Sequence, residues 1–490
     1  MLPAFGVSSW TVVEWLQLVE RELLLFALFW FIIGMVDEMA LDAIWLGLRI
    51  TGRASTPRLP ASFAPTPLAG AVAVLIPTWH EDAVIGATIA HMLGAWPQRD
   101  YRLYVGCYRN DAATITAAMA AAGADARVRL VIHDRLGPTT KADCLNRLYL
   151  ALSADEARTG HRFASVLLQD AEDMVHPLAL GVVDQGLTAA VGAADFVQLP
   201  VHPEMLPCGR WVSGHYADEF AESHGKALVV RDWLGAALPA AGVGCGFSRA
   251  MLERVGAVRH EMGESGPFAA DCLTEDYELG LLIARFGGRS RFLRLRDAEG
   301  QLIATRSYFP VDLPSAVRQK TRWVHGIALQ GWDRLGWDIK PVELWMALRD
   351  RRGPLTALVL AAAYALMVIE VLLMLAHGLG AHPRPLGSPA LMLLMRVSLW
   401  GLAWRAAMRF AFTTREYGPL EGLRAIVRIP VANVITIMAG RRALVAYIRT
   451  LRGERVTWDK TTHYLHPAMR PKRGKSGLAP ALGQTPELAL

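Results

Sequence analysis

Ser165-Val166-Leu167-Leu168-Gln169-Asp170-Ala171-Glu172-Asp173 sets a short apolar run directly against three carboxylates in four residues. Four apolar-rich residues bounded by charge read as a buried strand. The carboxylates then stand where an α/β sheet places its chemistry, beyond the carboxyl end of a strand. Like charges so close repel one another. A divalent cation offsets that repulsion, and hard oxygen ligands suit Mg²⁺ or Mn²⁺. A solvated acidic turn is the plain alternative at this stage.

The neighbouring sequence repeats the strand texture. Val72–Ile76, Leu103–Gly106 and Val128–Ile132 are apolar runs, and Ala83–Ala95 and Ala112–Ala122 read as the helices between them. Strand alternating with helix predicts a Rossmann-like α/β domain with a mostly parallel sheet. Three more clusters lie within it. Ile76-Pro77-Thr78-Trp79-His80-Glu81-Asp82 follows the first strand, where backbone N–H groups and a helix N-terminus can cradle a nucleotide. Thr274-Glu275-Asp276 opens a helix: Thr274 suits an N-cap, and the acids suit either the helix dipole or a general base. Gln319-Lys320-Thr321-Arg322-Trp323 puts cations beside an aromatic ring, a combination suited to phosphate and a sugar face.

In this order and spacing the clusters resemble the family 2 glycosyltransferases, over roughly residues 70–335. Lys141-Ala142-Asp143-Cys144-Leu145-Asn146 and the loop Gly242–Arg249 resemble two further segments of that family. Tyr108-Arg109-Asn110-Asp111 and Trp458-Asp459-Lys460-Thr461-Thr462-His463 resemble a membrane-bound subgroup. The resemblance implies a GT-A-type fold and inverting transfer from a nucleotide-sugar, UDP-linked in the family pattern, to a hydroxyl acceptor. It implies Asp276 and Glu275 as catalytic residues. Pro77, Glu81, Asp111, Lys141, Gln319, Arg322 and Trp323 become donor-binding residues. Asp170, Glu172 and Asp173 become ligands of Mg²⁺ or Mn²⁺. There are departures: Gly106-Cys107-Tyr108 lacks the acids of the family's second-strand motif, and the acidic triplet reads Asp-Ala-Glu.

Composition adds the membrane. The chain has 490 residues, 53% of them hydrophobic, with a formal charge of +6. Five scattered cysteines make no C-x-x-C pair, which argues against a zinc site or a disulfide framework. Residues 19–36 and 355–376 read as membrane helices, and 390–412 as a third. Residues 37–50 read as an amphipathic continuation along the interface, and 429–440 as too short to span, hence interfacial or re-entrant. Lys and Arg concentrate after the first span (Arg49, Arg53, Arg58) and before the second (Lys340, Arg349, Arg351, Arg352). By the positive-inside rule the large domain is cytoplasmic in a bacterial inner membrane, and this placement disfavours nucleic acid as a partner.

The expected organisation is a membrane and interfacial helix at 1–52, a linker at 53–70 and the catalytic domain at 71–340. Membrane and interfacial helices follow at 341–466, and a disordered tail at 467–490. The expected role is synthesis and export of a surface polysaccharide, with a growing glycan as acceptor and an outer-membrane export partner. The alternatives are a single transfer to a lipid-linked acceptor, or an inactive membrane receptor or scaffold component.

Overall fold

The computed structural model describes residues 11–63, 67–190, 192–206, 210–338, 340–379, 388–454 and 465–469. The 458–463 motif and residues 470–490 of the expected tail lie outside them.

The sheet is built from β1 (Ala71–Pro77), β2 (Tyr101–Tyr108), β3 (Val128–His133), β4 (Phe163–Leu168), β5 (Phe196–Gln198), β7 (Cys245–Ser248) and β8 (Ser290–Phe292), in the order β3-β2-β1-β4-β7-β5-β8. β1 to β4 are parallel, as are β5 and β8, while β7 runs antiparallel to both its neighbours. β6 (Val201–Glu204) and β9 (Thr305–Tyr308) form a separate parallel pair. Every residue of β1 is buried. Ala71, Ala73 and Leu75 enter one core and Val72, Val74 and Ile76 the other, the two-residue alternation of a strand covered on both faces.

The helices of the soluble part are α2 (Ile85–Ala95), α3 (Ala112–Ala122), α4 (Lys141–Thr159), α5 (Ala179–Thr188), α6 (Arg210–Glu222), α7 (Leu228–Trp233), α8 (Arg249–Glu261), α9 (Glu275–Arg285), α10 (Leu313–Trp323), α11 (Gly331–Leu335) and α12 (Pro341–Arg351). Two π-helical turns, Ser223–Ala227 and Val324–Gln330, continue α6 and α10. Because β1, β2 and β4 are parallel, their carboxyl ends deliver residues 78–82, 109–111 and 169–173 to one edge.

Among the described residues four helices are long and apolar enough to cross a membrane: α1 (Val12–Ile50), α13 (Gly353–Gly378), α14 (Pro389–Tyr417) and α16 (Ile429–Leu451); α15 (Pro419–Val427) joins the last two. Two expectations need correction. Residues 37–50 do not turn along an interface. They continue α1 unbroken and pack Leu41 and Leu48 against Val230, Ala236 and Met346 of the soluble part. The reason is pairing across the chain: Asp37, Glu38 and Asp42 meet Arg349, Arg352, Arg405 and Lys226. Residues 429–440 are the first half of a 23-residue helix, since Arg441 and Arg442 do not end it. Both ends of α16 are nevertheless tied to the soluble part. Arg428, just before it, pairs with Asp218 at 2.7 Å, and the Tyr447 hydroxyl donates to Asp333.

The start of the expected tail is ordered too. Pro467–Met469 form a 3-10 turn, and His466 is 1% exposed.

Candidate active site

Lys141 begins α4, where the Thr140 hydroxyl accepts the Asp143 N–H at 3.1 Å. Its ammonium lies 2.6 Å from Asp170 at the end of β4. Burial opposes its charge, but Asp170, Glu275 and Asp276 outweigh burial and hold it above the ordinary lysine range. One cation therefore gathers two of the acidic clusters that the sequence singled out.

Glu275 and Asp276 form the first turn of α9. Glu275 is buried, while Asp276 keeps partial exposure. Burial pushes both carboxyls up; each feels Lys141 and Arg322 pulling the other way. Thr274 holds the N-cap position, yet its hydroxyl makes no bond to the helix. The backbone of Gly242 passes so close that a Cβ there would lie 2.3 Å from Asp276 Oδ2 and 3.3 Å from Lys141 Nζ. Its φ of +76° is a second reason for glycine. The Gln198 amide fixes this loop, accepting from the Ala241 N–H at 2.8 Å and donating to the Val243 carbonyl at 2.9 Å. Gln169 does the same from β4, accepting from the Gly244 N–H at 3.2 Å.

The acidic loop divides its carboxylates. Asp170 and Glu172 are partly exposed. Asp173 is 1% exposed, and its Oδ2 accepts the Asp170 N–H at 2.7 Å. Burial, then the charges of Asp170 and Glu172, push its carboxyl well above the usual range. The structure thus buries Asp173 and has its Oδ2 close the loop, while its Oδ1 has no hydrogen-bond partner among the described residues. Among the described residues no three His, Cys, Asp or Glu side chains converge on a metal position. What fits a cation is a pair of hard carboxylates, Asp170 and Glu172, whose remaining ligands a diphosphate and water would supply.

The residues after β1 and β2 brace one another. Pro77 ends β1, and Glu81 is buried. The His80 N–H donates to Asp111 at 2.6 Å and the Glu81 N–H to the Thr114 hydroxyl at 2.9 Å. These two N–H groups are therefore engaged within the protein and do not face a nucleotide. Asp111 also caps α3 through the Thr114 N–H. His80, at φ +52°, is the one non-glycine residue with positive φ among the described residues, a strained point on the loop. Trp79 stands edge-on to Tyr108 at 5.2 Å.

Arg322 and Trp323 end α10 and face the same space as Lys141, Glu275 and Asp276. Trp323 packs edge-on to Tyr216 and carries Lys320 over its ring at 4.8 Å. The Gln319 side-chain oxygen Oε1 is buried with no hydrogen-bond partner among the described residues. These side chains open onto a cavity of about 830 Å³. It runs from Lys141 and Asp276 to Phe31 of α1, Leu360 of α13, Leu402 and Arg409 of α14, and Asn433 of α16. Both π-helical turns border it through Lys226 and Ile327; such turns recur at functional sites. The sequence reading passed over Gln198 and His466, and it gave Gln169 and Gly242 no role of their own within the segments it quoted. Only the Gly242-Val243-Gly244 spacing offered a signal.

The family described as glycosyltransferase like family 2 matches residues 69–326, more than half of the chain. Bacteriophage adsorption protein B of Escherichia coli K12 is 32% identical over 478 residues, covering 92% of this chain and 62% of its own. Bacteriophage N4 adsorption protein B of Escherichia coli O157:H7 matches to the same extent. The chain thus spans less than two thirds of the length of these relatives. Among solved structures, a mannosyltransferase of Pyrobaculum calidifontis in complex with GDP-Man and Mn²⁺ superposes with a TM-score of 0.44 at 17% identity, covering 80% of this chain and 97% of the other.

Proposed function

This chain belongs to the glycosyltransferase-like family 2, and we propose that it moves a sugar, with inversion, from a nucleotide-sugar to a hydroxyl of a glycan that grows into the membrane helices. The observation that carries this reading is the cavity. It begins at Asp276, Lys141 and Arg322 and continues between α1, α13, α14 and α16. A donor site that opens into a helix bundle suits an acceptor that leaves through it.

Asp276 is the general base. It takes the proton of the acceptor hydroxyl as that oxygen bonds to the anomeric carbon, while the bond from that carbon to the nucleoside diphosphate breaks. Its partial exposure suits contact with substrate better than the buried Glu275, whose carboxyl is pushed up by burial and by Asp276. Arg322 meets the negative charge leaving on the diphosphate, and Trp323 offers a face to the acceptor sugar. Asp170 and Glu172 would hold Mg²⁺ or Mn²⁺, which when bound neutralises the donor diphosphate. Asp173 keeps the loop in shape. Pro77, Glu81 and Asp111 set the floor of the donor site through the loop they brace, and Gln319 offers a buried, unpartnered amide oxygen on the helix that carries Arg322.

Three helices cross in this reading, with the soluble part on the cytoplasmic side of a bacterial inner membrane. α16 lies against the soluble part, because both of its ends are anchored there. A reporter fused near residue 60 or 345 should behave as cytoplasmic and one at residue 382 as periplasmic; the opposite pattern overturns the topology. A surface polysaccharide, passed to an outer-membrane export partner, is consistent with relatives named for bacteriophage adsorption.

The direct test is a nucleotide-release screen of the purified chain against UDP-, GDP- and other nucleotide-sugars with Mg²⁺ or Mn²⁺, followed by sizing of the product. A long polymer is expected. A product of one added sugar on a lipid-linked acceptor would replace the growing-glycan reading, and no release with any donor would leave a receptor or scaffold role.

A further inference from the structure

The loop from Asp170 to His176 is neither helix nor regular strand, yet Ala171, Asp173 and Val175 are buried and the rest is half-buried. A buried peptide carbonyl without a partner costs roughly 1–3 kcal/mol, so irregular buried loops need side chains to satisfy them. Here α2 supplies three. The Thr88 hydroxyl donates to the Ala171 carbonyl, His91 Nε2 meets the Val175 carbonyl at 2.9 Å, and Trp96, just past the helix, donates from its indole to the His176 carbonyl at 3.2 Å. Met174 exchanges two backbone hydrogen bonds with Arg306 beside β9. The Asp173 carbonyl is held from elsewhere, by a partner 293 residues further along the chain. His466 Nε2 meets it at 3.1 Å.

The geometry of His466 fixes its role. Its Nδ1 accepts the Ala468 N–H at 3.1 Å, so Nδ1 carries no proton and Nε2–H is the donor to Asp173. Both ring nitrogens are thereby engaged, which removes His466 as a metal ligand. The ring is 1% exposed, sits 6.2 Å from His91, and is followed by the buried Pro467. The turn Pro467–Met469 packs on α2 and β9. A segment that follows the membrane helices has come back to the catalytic domain and closed its acidic loop from behind.

We propose that His466 is a positioning residue for the donor site. By holding the Asp173 carbonyl it keeps the turn in which the Asp173 carboxylate takes the Asp170 N–H, and so aims Asp170 and Glu172 at the donor diphosphate. The metal part of this inference rests on the assignment of Asp170 and Glu172 proposed above; the loop part does not.

The experiment uses the full chain in detergent, with His466→Ala and His466→Gln, the glutamine amide standing in for Nε2–H. Hydrogen exchange of residues 169–176 is followed without ligand, and UDP binding is titrated by calorimetry with and without Mn²⁺. Alanine should speed exchange in 169–176 by at least about tenfold and weaken Mn²⁺-dependent UDP binding by about 10–100-fold, as loss of an outer-shell partner does. Glutamine should restore most of both. Unchanged exchange in the alanine variant overturns the proposal. Should alanine fail to fold, His466→Asn, whose amide is too short to reach, replaces it; equal exchange in the asparagine and glutamine variants then overturns the proposal. An Asp170→Ala/Glu172→Ala chain separates the two readings. If its UDP binding still responds to Mn²⁺ as in the parent, the metal assignment falls, while the exchange arm still decides His466.

Discussion

At the junction between helices and soluble part, four carboxylates (Asp37, Glu38, Asp42, Glu222) meet four cations (Lys226, Arg349, Arg352, Arg405). At the strand ends, Asp170, Asp173, Glu275 and Asp276 share Lys141, with Arg322 reaching the last two. The first set closes on itself: Lys226, 1% exposed, touches Asp42 at 2.5 Å and Glu222 at 2.8 Å, and Trp404 adds its indole N–H to Asp42. The second keeps an excess of negative charge, and burial, with that charge added, makes Asp173, Glu275 and Asp276 bind protons more tightly. Charge that is balanced internally holds parts together. Charge left unbalanced inside a cavity marks where something from outside completes the account.

The sharpest break comes at the second set. Asp276→Asn should lower transfer by about 10²–10⁴-fold, the usual worth of a positioned general base, while nucleotide binding stays near normal. Initial rates and calorimetry on the same preparation check this. Near-normal turnover would remove Asp276 from the chemistry, and joint loss of binding would make it a donor ligand.

The next break is at the junction. Lys226→Met leaves Asp42 and Glu222 buried without their shared cation, a loss of about 3–5 kcal/mol in comparable sites. Thermal unfolding in detergent should show it, and adding Glu222→Gln should recover part, because one orphaned charge is then gone. Full stability of the single variant would show that the balance of four against four is not structural.

The smallest effect sharpens the comparison. Burial raises the Asp276 carboxyl and Lys141 partly offsets this. As a base Asp276 acts ionised, so kcat/KM should fall as pH drops through its raised pKa, above the ordinary carboxylate range. Lys141→Met removes the offset and should move this acid limb to higher pH, by about one unit. The stability sign is opposite to that of the rate: the folded state holds the proton more tightly, so stability contributed by this group is lost as pH rises through the folded pKa. A limb that stays in place, or moves to lower pH, contradicts the coupling.

How far the sequence carried follows from these same residues. β1 to β4 were legible because each is a run of apolar residues bounded by charge or turn chemistry, and α3 because Ala112–Ala122 is punctuated by Asp111 and Gly123. β5, β6 and β9 were not, since three or four residues carry no period and their pairing is set by distant partners. The acidic clusters were visible as clusters. That Asp173 faces inward was not, because nothing local distinguishes it from Asp170; the difference is made by the turn and by His466. The continuation of α1 was misread for the same reason. Asp37, Glu38 and Asp42 look like an interfacial face until Arg349 and Arg405, more than three hundred residues away, are placed against them.

α1 has one further consequence. Its 39 residues make a rod of about 58 Å without an interruption. One end is apolar enough for lipid, the other is locked to Lys226 and Arg349, and Phe31, Glu38 and Leu41 in between form part of the cavity wall. On the proposed topology, a rod so fixed would make the thickness of the bilayer a setting of the cavity: in a thinner or thicker membrane α1 would have to tilt or slide, and the wall it lends to the cavity would move with it.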